Sequence, residues 1–216
     1  MGIGDRVFPV MTEVLGGLFE KKPYVVKDRR ELIAPARGRV LEIGAGTGFN
    51  LPYYPPDLDE LVVTDPLDGM LSRAQRRADR LGRNITTRKL SGERLPFDDA
   101  VFDTVVASFV LCSVDDQDTV LAEIKRVLRP DGVYLFMEHV RSDDQRVARR
   151  QDRVEGVWGF CCHGCHPNRD TGSRIEAAFD DVELARSETP AGPKIVRPTI
   201  LGQARKAPAR APSPGT

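Results

Sequence analysis

Between residues 39 and 138 the sequence alternates short apolar runs with longer segments whose apolar residues recur at helical spacing. Short apolar runs are typical of buried strands, and the longer segments are typical of amphipathic helices. Parallel strands need crossover connections, and the helices in those connections cover both faces of the sheet. The alternation therefore predicts an α/β domain with a doubly wound, mostly parallel sheet. The predicted strands are 39–43, 61–64, 85–89, 103–108, 133–138, 181–186 and 195–202, and the predicted helices are 67–81, 116–128 and 171–179.

The chain has 216 residues, a length that suits one large domain. Residues 1–37 predict an N-terminal helical cap of one or two helices, and residues 38–203 predict the main domain. Within that domain, residues 141–170 interrupt the alternation and are interpreted as an insertion. We expect this insertion on the side of the ligand site that holds the substrate, the acceptor of the reaction. The segment 204–216 is rich in proline and small residues, so we predict that it is a disordered tail.

Charge and hydropathy limit the partners of the chain. The 32 basic and 32 acidic residues cancel, so no global field draws the protein to nucleic acid, and we predict no nucleic-acid partner. No apolar run approaches the roughly 20 residues that a bilayer crossing requires, and the amino terminus lacks the core of a signal peptide. The prediction is a cytoplasmic protein without a transmembrane segment, acting on a small molecule; the sequence leaves the oligomeric state open.

A glycine-rich loop follows the first predicted strand. Gly44, Gly46 and Gly48 tolerate positive φ angles and let a ligand approach bare backbone. A dinucleotide site is the alternative, but its G-x-G-x-x-G spacing would need another glycine later in the loop, where Phe49 follows Gly48. Glu42 lies two residues before the first glycine, and its negative charge suits a cationic ligand better than a diphosphate. S-adenosylmethionine carries both a sulfonium and an ammonium group, so the loop favours this cofactor.

The second predicted strand leads into an acidic residue, Asp65, which lies 21 residues beyond Gly44. At this distance an acidic side chain accepts hydrogen bonds from both ribose hydroxyls of a nucleotide-like ligand. Because nicotinamide cofactors and S-adenosylmethionine share that ribose, Asp65 supports both readings. The glycine spacing and Glu42 discriminate between them.

These segments resemble class I S-adenosylmethionine-dependent methyltransferases of the "methyltransferase 11" type, through residues 40–48, 65–66, 92–97 and 127–132. The resemblance implies a Rossmann-like sheet of seven strands with the last one antiparallel. It also implies that Gly92 and Glu93 lie beside the adenine. The predicted cofactor-binding residues are Glu42, Ile43, Gly44, Ala45, Gly46, Thr47, Gly48, Asn50, Asp65, Pro66, Met70, Gly92, Glu93, Ser108 and Phe109.

A narrower resemblance, over about residues 38–203, is to the methyltransferase-like family that includes the animal alkyl-thiol S-methyltransferases. The segments that carry it are 48–50, 54–56, 110–114, 136–140, 164–165, Arg169, 196–198 and Gly202. It implies a small thiol as methyl acceptor. Amine or oxygen acceptors on a metabolite or lipid head group, and a non-catalytic cofactor-binding module, remain alternatives. The animal members begin with a hydrophobic membrane segment, whereas residues 1–38 here are polar and broken by prolines.

A thiol acceptor reacts as its thiolate, and with an ordinary pKa of about 8.5 it is mostly protonated at neutral pH. His139 follows the strand 133–138 on the ligand side of the sheet, so we predict that it is the catalytic base. The alternative is a histidine that only caps the strand. The predicted acceptor-binding residues are Cys112, Trp158, Cys165 and Arg169.

Cysteines and histidines are dense between residues 161 and 166. Cys162 and Cys165 have the C-x-x-C spacing of a zinc site, for which His163, His166, Cys112 and His139 are further candidate ligands. A structural zinc site usually needs a second pair of ligands from a separate segment, and no such pair is evident. The prediction is therefore that no metal is bound, with zinc as the alternative.

Overall fold

The computed structural model describes residues 3–190 and 192–206 of the chain. In this part a seven-stranded sheet is flanked by helices on both faces. The helices are α1 (Ile3–Phe19), α2 (Pro23–Ile33), α3 (Asp68–Leu81), α4 (Gln117–Val127), α5 (Gln145–Cys161) and α6 (Thr171–Ala178), with short 3-10 turns at Leu51–Tyr53 and Lys194–Val196. The strands are β1 (Arg39–Ile43), β2 (Glu60–Asp65), β3 (Thr86–Lys89), β4 (Phe102–Ser108), β5 (Leu128–His139), β6 (Asp181–Glu188) and β7 (Pro198–Arg205).

The strand order is β3-β2-β1-β4-β5-β7-β6, and β7 runs antiparallel to both of its neighbours. This confirms the predicted Rossmann-like sheet, including its antiparallel last strand. The chain builds outward from β1 to β3 and then returns to β4 on the other side of β1. In such sheets, ligands bind beyond the carboxyl ends of the strands where the order reverses. The loops after β1 and β4 flank that point.

Apolar side chains cover both faces of the sheet. On one face, Ile124 of α4 and Ile175 of α6 pack with Tyr134 and Phe136 of β5. On the other face, Leu32 and its neighbours on α2 pack against the remaining side chains of the central strands. Each fully buried aliphatic or aromatic side chain stabilises the fold by roughly 1.5–3 kcal/mol. The two clusters hold the strand ends, and therefore the loops that follow them, in fixed positions.

Local chemistry explains the helix boundaries. The Asp116 side chain accepts hydrogen bonds from the backbone N–H groups of Asp118 and Thr119, which caps α4 at its start. Helix α3 ends at Gly82, whose φ of 64° is the left-handed conformation that favours glycine. The predicted helices 67–81 and 116–128 therefore agree with the structure to within one residue at each end.

Several boundaries differ from the predictions. The last strand, predicted at 195–202, begins only at Pro198, because Lys194–Val196 form a 3-10 turn. The fifth strand, predicted to begin at residue 133, begins at Leu128, and residues 130–132 lie inside it where the pairing with β4 shifts register. The predicted tail from Ala204 was wrong at its start, because β7 continues to Arg205 and buries Ala204 between β5 and β6. The remainder of that predicted tail, from residue 207, lies outside the described residues.

The predicted N-terminal cap consists of α1 and α2. Helix α1 packs on α3, where Arg77 forms ion pairs with Glu13 of α1 and with Glu20, which directly follows that helix. Arg77 is 9% exposed, and its guanidinium also lies 4.4 Å from the centre of the Phe49 ring. None of the helices in the described part of the chain has the length and apolar character that a membrane crossing requires.

Candidate active site

The loops after β1, β2, β4 and β5 surround a cavity of about 790 Å³ at the carboxyl edge of the sheet. This volume is in the range of sites for cofactors and small molecules. Most of the predicted cofactor-binding residues line this cavity: Glu42, Ile43, Gly44, Ala45, Gly46, Thr47, Asn50, Asp65, Pro66, Met70, Gly92, Glu93, Ser108 and Phe109. The sequence argument missed Phe8 and Thr12 of α1 and Arg29 of α2, which line it as well.

The glycines of the first loop have different structural roles. Gly44 has a φ of 61°, and a Cβ atom there would lie 2.6 Å from Val110 Cγ2. Both the backbone conformation and the steric contact therefore exclude a side chain. Gly46 has a φ of 56°, but an added Cβ atom would meet no heavy atom within 4 Å. Gly46 therefore leaves open space in the cavity for a ligand. Gly48 is not among the lining residues; it allows close packing on Leu51 and Ala74.

Asp65 stands at the end of β2 with its carboxylate held by backbone groups. Gly46 N–H donates to Oδ2 at 3.0 Å, and Leu67 N–H donates to Oδ1 at 2.9 Å. Burial raises the pKa of this carboxyl, and the two backbone hydrogen bonds oppose that shift. Each oxygen has a further lone pair available, and Asp65 lines the cavity, so its role in binding the ribose hydroxyls stays a prediction that this geometry allows.

Glu42 is buried at 1% exposure and is part of a hydrogen-bonded network. Asn50 donates to its Oε1 at 2.7 Å, and the Tyr54 hydroxyl donates to its Oε2 at 3.0 Å. Arg29 in turn donates to the Asn50 side-chain oxygen. Burial raises the pKa of Glu42 to about 7, against the opposing effects of these hydrogen bonds and of Arg29. The negative charge that the sequence argument assigned to Glu42 is therefore pH-dependent near neutrality.

This pKa predicts how cofactor affinity depends on pH. Between pH 6 and 8, the ionised fraction of a group with a pKa of about 7 rises from roughly one-tenth to nine-tenths. Ionised Glu42 attracts a cationic ligand, so we expect S-adenosylmethionine to bind the wild-type protein up to about tenfold more tightly at pH 8. Glu42→Gln should remove this rise in affinity between pH 6 and pH 8. The control is Glu60→Gln, at a partly exposed residue at the amino end of β2, which should show the same rise as the wild-type protein. Titration calorimetry at the two pH values measures both, and a pH-dependent Glu42→Gln protein would contradict the assignment.

A buried carboxylate that the sequence argument did not select, Glu138, organises the loop after β4. Its Oε1 accepts from the backbone N–H groups of Val110 and Leu111 at 2.9 and 3.0 Å, and its Oε2 accepts from Cys112 N–H at 3.2 Å. Phe109 begins this loop with a φ of 60°, an unusual value for a residue with a side chain. The sequence signal for Glu138 was its position as the one carboxylate in the predicted strand 133–138, whose other residues are apolar or aromatic.

Cys112, His139 and Cys165 meet on the cavity wall. The Sγ atoms of Cys112 and Cys165 lie 3.8 and 3.7 Å from His139 Nδ1, and 4.0 Å from each other. The hydrogen bond between the sulfur atoms raises the pKa of Cys112 and lowers the pKa of Cys165, which His139 lowers further. The Phe109 ring stacks on the His139 ring at 4.4 Å. Because Nδ1 faces the two sulfur atoms, the predicted role of His139 as a base would fall to Nε2, and that role remains a prediction.

The other histidines of the cysteine-rich segment have different partners. His163 stacks on Phe8 of α1 with ring centres 4.4 Å apart, and His166 Nδ1 pairs with Glu155 of α5. Cys162 is not part of the sulfur–imidazole group either. The C-x-x-C pair considered as a zinc site is therefore split between two environments.

The insertion supplies one wall of the cavity through the end of α5 and the loop that follows. Trp158 and Cys165 line the cavity, while Phe160 is 90% exposed and lies at its rim. Arg169, predicted to contact the acceptor, does not line the cavity. Its guanidinium donates to the carbonyl groups of Leu111 and Val114 at 2.9 and 2.6 Å, so it holds the loop that carries Cys112.

A second cavity, of about 370 Å³, adjoins the first at Phe109 and His139. Much of its wall is apolar and comes from α1, α2 and β5, with Met11, Phe19, Val25, Met137 and Val196 among the lining residues. Glu20, Asp28 and Arg29 are its charged lining residues, and the largely apolar space leads to the His139 imidazole. Sequence reasoning did not locate it, because it forms only where the N-terminal helices fold over the sheet.

Comparison with known proteins agrees with this geometry. The family described as a methyltransferase domain matches residues 41–136. The human thiol S-methyltransferase TMT1A is 32% identical over 195 residues, which cover 86% of this chain and 78% of that protein. The rat thiol S-methyltransferase TMT1B is 36% identical over 174 residues, covering 77% and 70%. A phosphatidylethanolamine N-methyltransferase of Cereibacter sphaeroides is 36% identical over 115 residues, covering only 51% and 55%.

Among solved structures, the N-methyltransferase NodS of Bradyrhizobium japonicum, in complex with S-adenosyl-L-homocysteine, superposes with a TM-score of 0.69 at 19% identity. The match covers 94% of this chain and 99% of NodS, which establishes the likeness of fold. The cavity supplies the carboxylate, the glycine loop and the open space that an adenosyl cofactor needs. The chain belongs to the family of S-adenosylmethionine-dependent methyltransferases that includes the thiol S-methyltransferases.

Proposed function

We propose that this enzyme transfers the methyl group of S-adenosylmethionine to the sulfur atom of a small, apolar thiol. The observation that carries the proposal is the largely apolar second cavity, which reaches His139 where that ring meets Cys112 and Cys165 on the wall of the first cavity. The relatives named as thiol S-methyltransferases support it, because their similarity spans most of both chains.

We assign the cofactor to the first cavity and the acceptor to the second. We place the adenosyl group against Gly46 and Asp65, with the amino-acid end of the cofactor toward Glu42. The acceptor then lies in the apolar cavity, with its reactive end at Phe109 and His139 where the two spaces join. Methyl transfer needs donor and acceptor atoms aligned about 3–3.5 Å apart and shielded from water. The helices that cover this junction provide that shielding.

When bound, S-adenosylmethionine supplies an electrophilic methyl carbon on a sulfonium. The acceptor sulfur, having lost its proton, forms a bond to that carbon, and the bond from the carbon to the sulfonium sulfur breaks with its electron pair on the departing sulfur. The protein's task is to hold the acceptor as a thiolate and to orient it. A largely apolar cavity that ends at the His139 imidazole, with two sulfur atoms within 4 Å of that ring, suits an acceptor with an apolar body and a soft reactive atom.

The proposal is tested with three acceptors of matched shape, benzenethiol, phenol and aniline, each incubated with methyl-labelled S-adenosylmethionine. We expect mass spectrometry to show enzyme-dependent methylation of benzenethiol and little of the other two. Reactions without enzyme measure the spontaneous background. Faster methylation of phenol or aniline would overturn the proposal.

Vesicles containing phosphatidylethanolamine test the alternative suggested by the relative that matches half of the chain. Preferential methylation of that lipid would also overturn the thiol proposal. If S-adenosylmethionine binds but no acceptor is methylated, the thiol proposal is overturned and the chain is a non-catalytic cofactor-binding module. Calorimetry on the same preparation shows whether the cofactor binds.

A further inference from the structure

We propose that Cys112, Cys165 and His139 bind a zinc ion, and that the fourth coordination position faces the cavity and takes the acceptor thiol. The metal site itself stands on the geometry of these three residues, whereas the role of its fourth position rests on the proposed function. The inference replaces the expectation from the sequence that no metal is bound.

The spacing of the three ligand atoms fits zinc. With Zn–S bonds of about 2.3 Å and Zn–N bonds of about 2.0–2.1 Å, tetrahedral ligands lie about 3.8 Å apart for two sulfurs and about 3.6 Å apart for sulfur and nitrogen. The observed separations are 4.0 Å between the sulfur atoms and 3.7 and 3.8 Å from sulfur to nitrogen. Shifts of a few tenths of an ångström therefore bring all three atoms to bonding distance of one ion. Thiolate and imidazole are the ligands that zinc favours.

Each ligand is fixed by its surroundings. The Cys112 backbone N–H is bound by the buried Glu138 carboxylate, and His139 ends β5 with its ring stacked on Phe109. His166 N–H donates to the Cys112 carbonyl at 2.7 Å, which ties the segment carrying Cys165 directly to Cys112. Metal sites require such outer contacts to orient their ligands.

The coordination would be incomplete with protein groups alone. Within the described residues, no fourth cysteine, histidine or carboxylate joins the group. All three ligands line the first cavity, and His139 lines the second as well, so the open position lies at the junction where the reactive end of the acceptor was placed. A zinc site with three protein ligands and an open position is typical of catalytic rather than structural zinc.

An open zinc position would explain how the acceptor thiol loses its proton at neutral pH. When zinc binds, Cys112 and Cys165 release their thiol protons to solvent, and an acceptor thiol that takes the fourth position releases its own. The acceptor is then held as a thiolate at neutral pH. After it gains the methyl group it becomes a neutral thioether, a weaker ligand that leaves the ion. In this arrangement His139 is a metal ligand, and no protein base is needed.

The metal content tests the site directly. The protein is produced in zinc-supplemented medium without a histidine tag, purified without chelators, and measured by inductively coupled plasma mass spectrometry. We expect about one zinc per chain. The Cys112→Ser/Cys165→Ser variant should retain less than about a tenth. The matched control Cys161→Ser/Cys162→Ser, at neighbouring cysteines outside the group, should retain the full amount. Wild-type protein without zinc, or zinc retained by the first variant, would overturn the site.

Cobalt tests the geometry and the open position, and does not depend on turnover. Cobalt-substituted protein should show thiolate-to-cobalt charge-transfer absorption that Cys112→Ser/Cys165→Ser lacks. Benzenethiol should change the visible ligand-field bands, while phenol at the same concentration should not. Zinc binding without this response would overturn the role of the fourth position and leave the metal site standing. Full thiol methylation by zinc-stripped protein would overturn the catalytic role of zinc and leave the proposed function intact.

Discussion

Gly46→Ala is expected to weaken the binding of S-adenosylmethionine by roughly 30-fold, or about 2 kcal/mol, while the protein stays folded. The added methyl group would meet no protein atom within 4 Å, so it would project into the space assigned to the cofactor. Alanine at a φ of 56° also strains the backbone, which costs about 1–2 kcal/mol of stability. Titration calorimetry gives the affinity, and chemical denaturation gives the stability.

Gly82→Ala separates these two effects. Gly82 has a φ of 64°, and a Cβ atom there also meets nothing within 4 Å, but the residue ends α3 away from the cavity. The two variants should lose similar stability, and only Gly46→Ala should lose affinity. Equal affinity in both would show that the space beside Gly46 is not used by the cofactor.

Glu138→Ala is expected to lower the free energy of unfolding by about 3–5 kcal/mol, because it leaves the buried backbone N–H groups of the loop after β4 without their acceptor. For a chain of this size the melting temperature should fall by about 10 °C. Glu138→Gln retains one acceptor oxygen at nearly the same position, so its loss should be about half as large. Scanning calorimetry measures the series.

Glu183→Ala is the matched control. Glu183 is an exposed glutamate on β6, and its removal should change the stability by no more than about 0.5 kcal/mol. If Glu138→Ala were no more destabilising than this control, Glu138 could not be what holds the loop in place.

The sheet was predictable because its signals are local. Apolar runs marked the strands, and apolar residues at helical spacing predicted α3 and α4 to within one residue at each end. The last strand was harder, since whether Ala204 belongs to β7 or to a tail depends on pairing with β5 and β6. Alanine has no strong local preference for a strand, so only the tertiary contact decides its state.

The cofactor side of the site was predictable for a related reason. Asp65 and the glycine loop follow adjacent strands, and the topology alone brings those strand ends together. The acceptor side depends on contacts between distant segments. Cys112 and Cys165 are 53 residues apart, and no periodicity indicates that the insertion folds back to join them. Arg169 shows the same limit, because its partners are backbone carbonyl groups, which no sequence pattern marks.

Different residues of helix α1 contact the cavity and helix α3. Phe8 and Thr12 of this helix line the cavity, while Glu13 and, just beyond the helix, Glu20 form ion pairs with Arg77 of α3. Arg77, which does not line the cavity, therefore helps to fix part of the cavity wall from a position outside it.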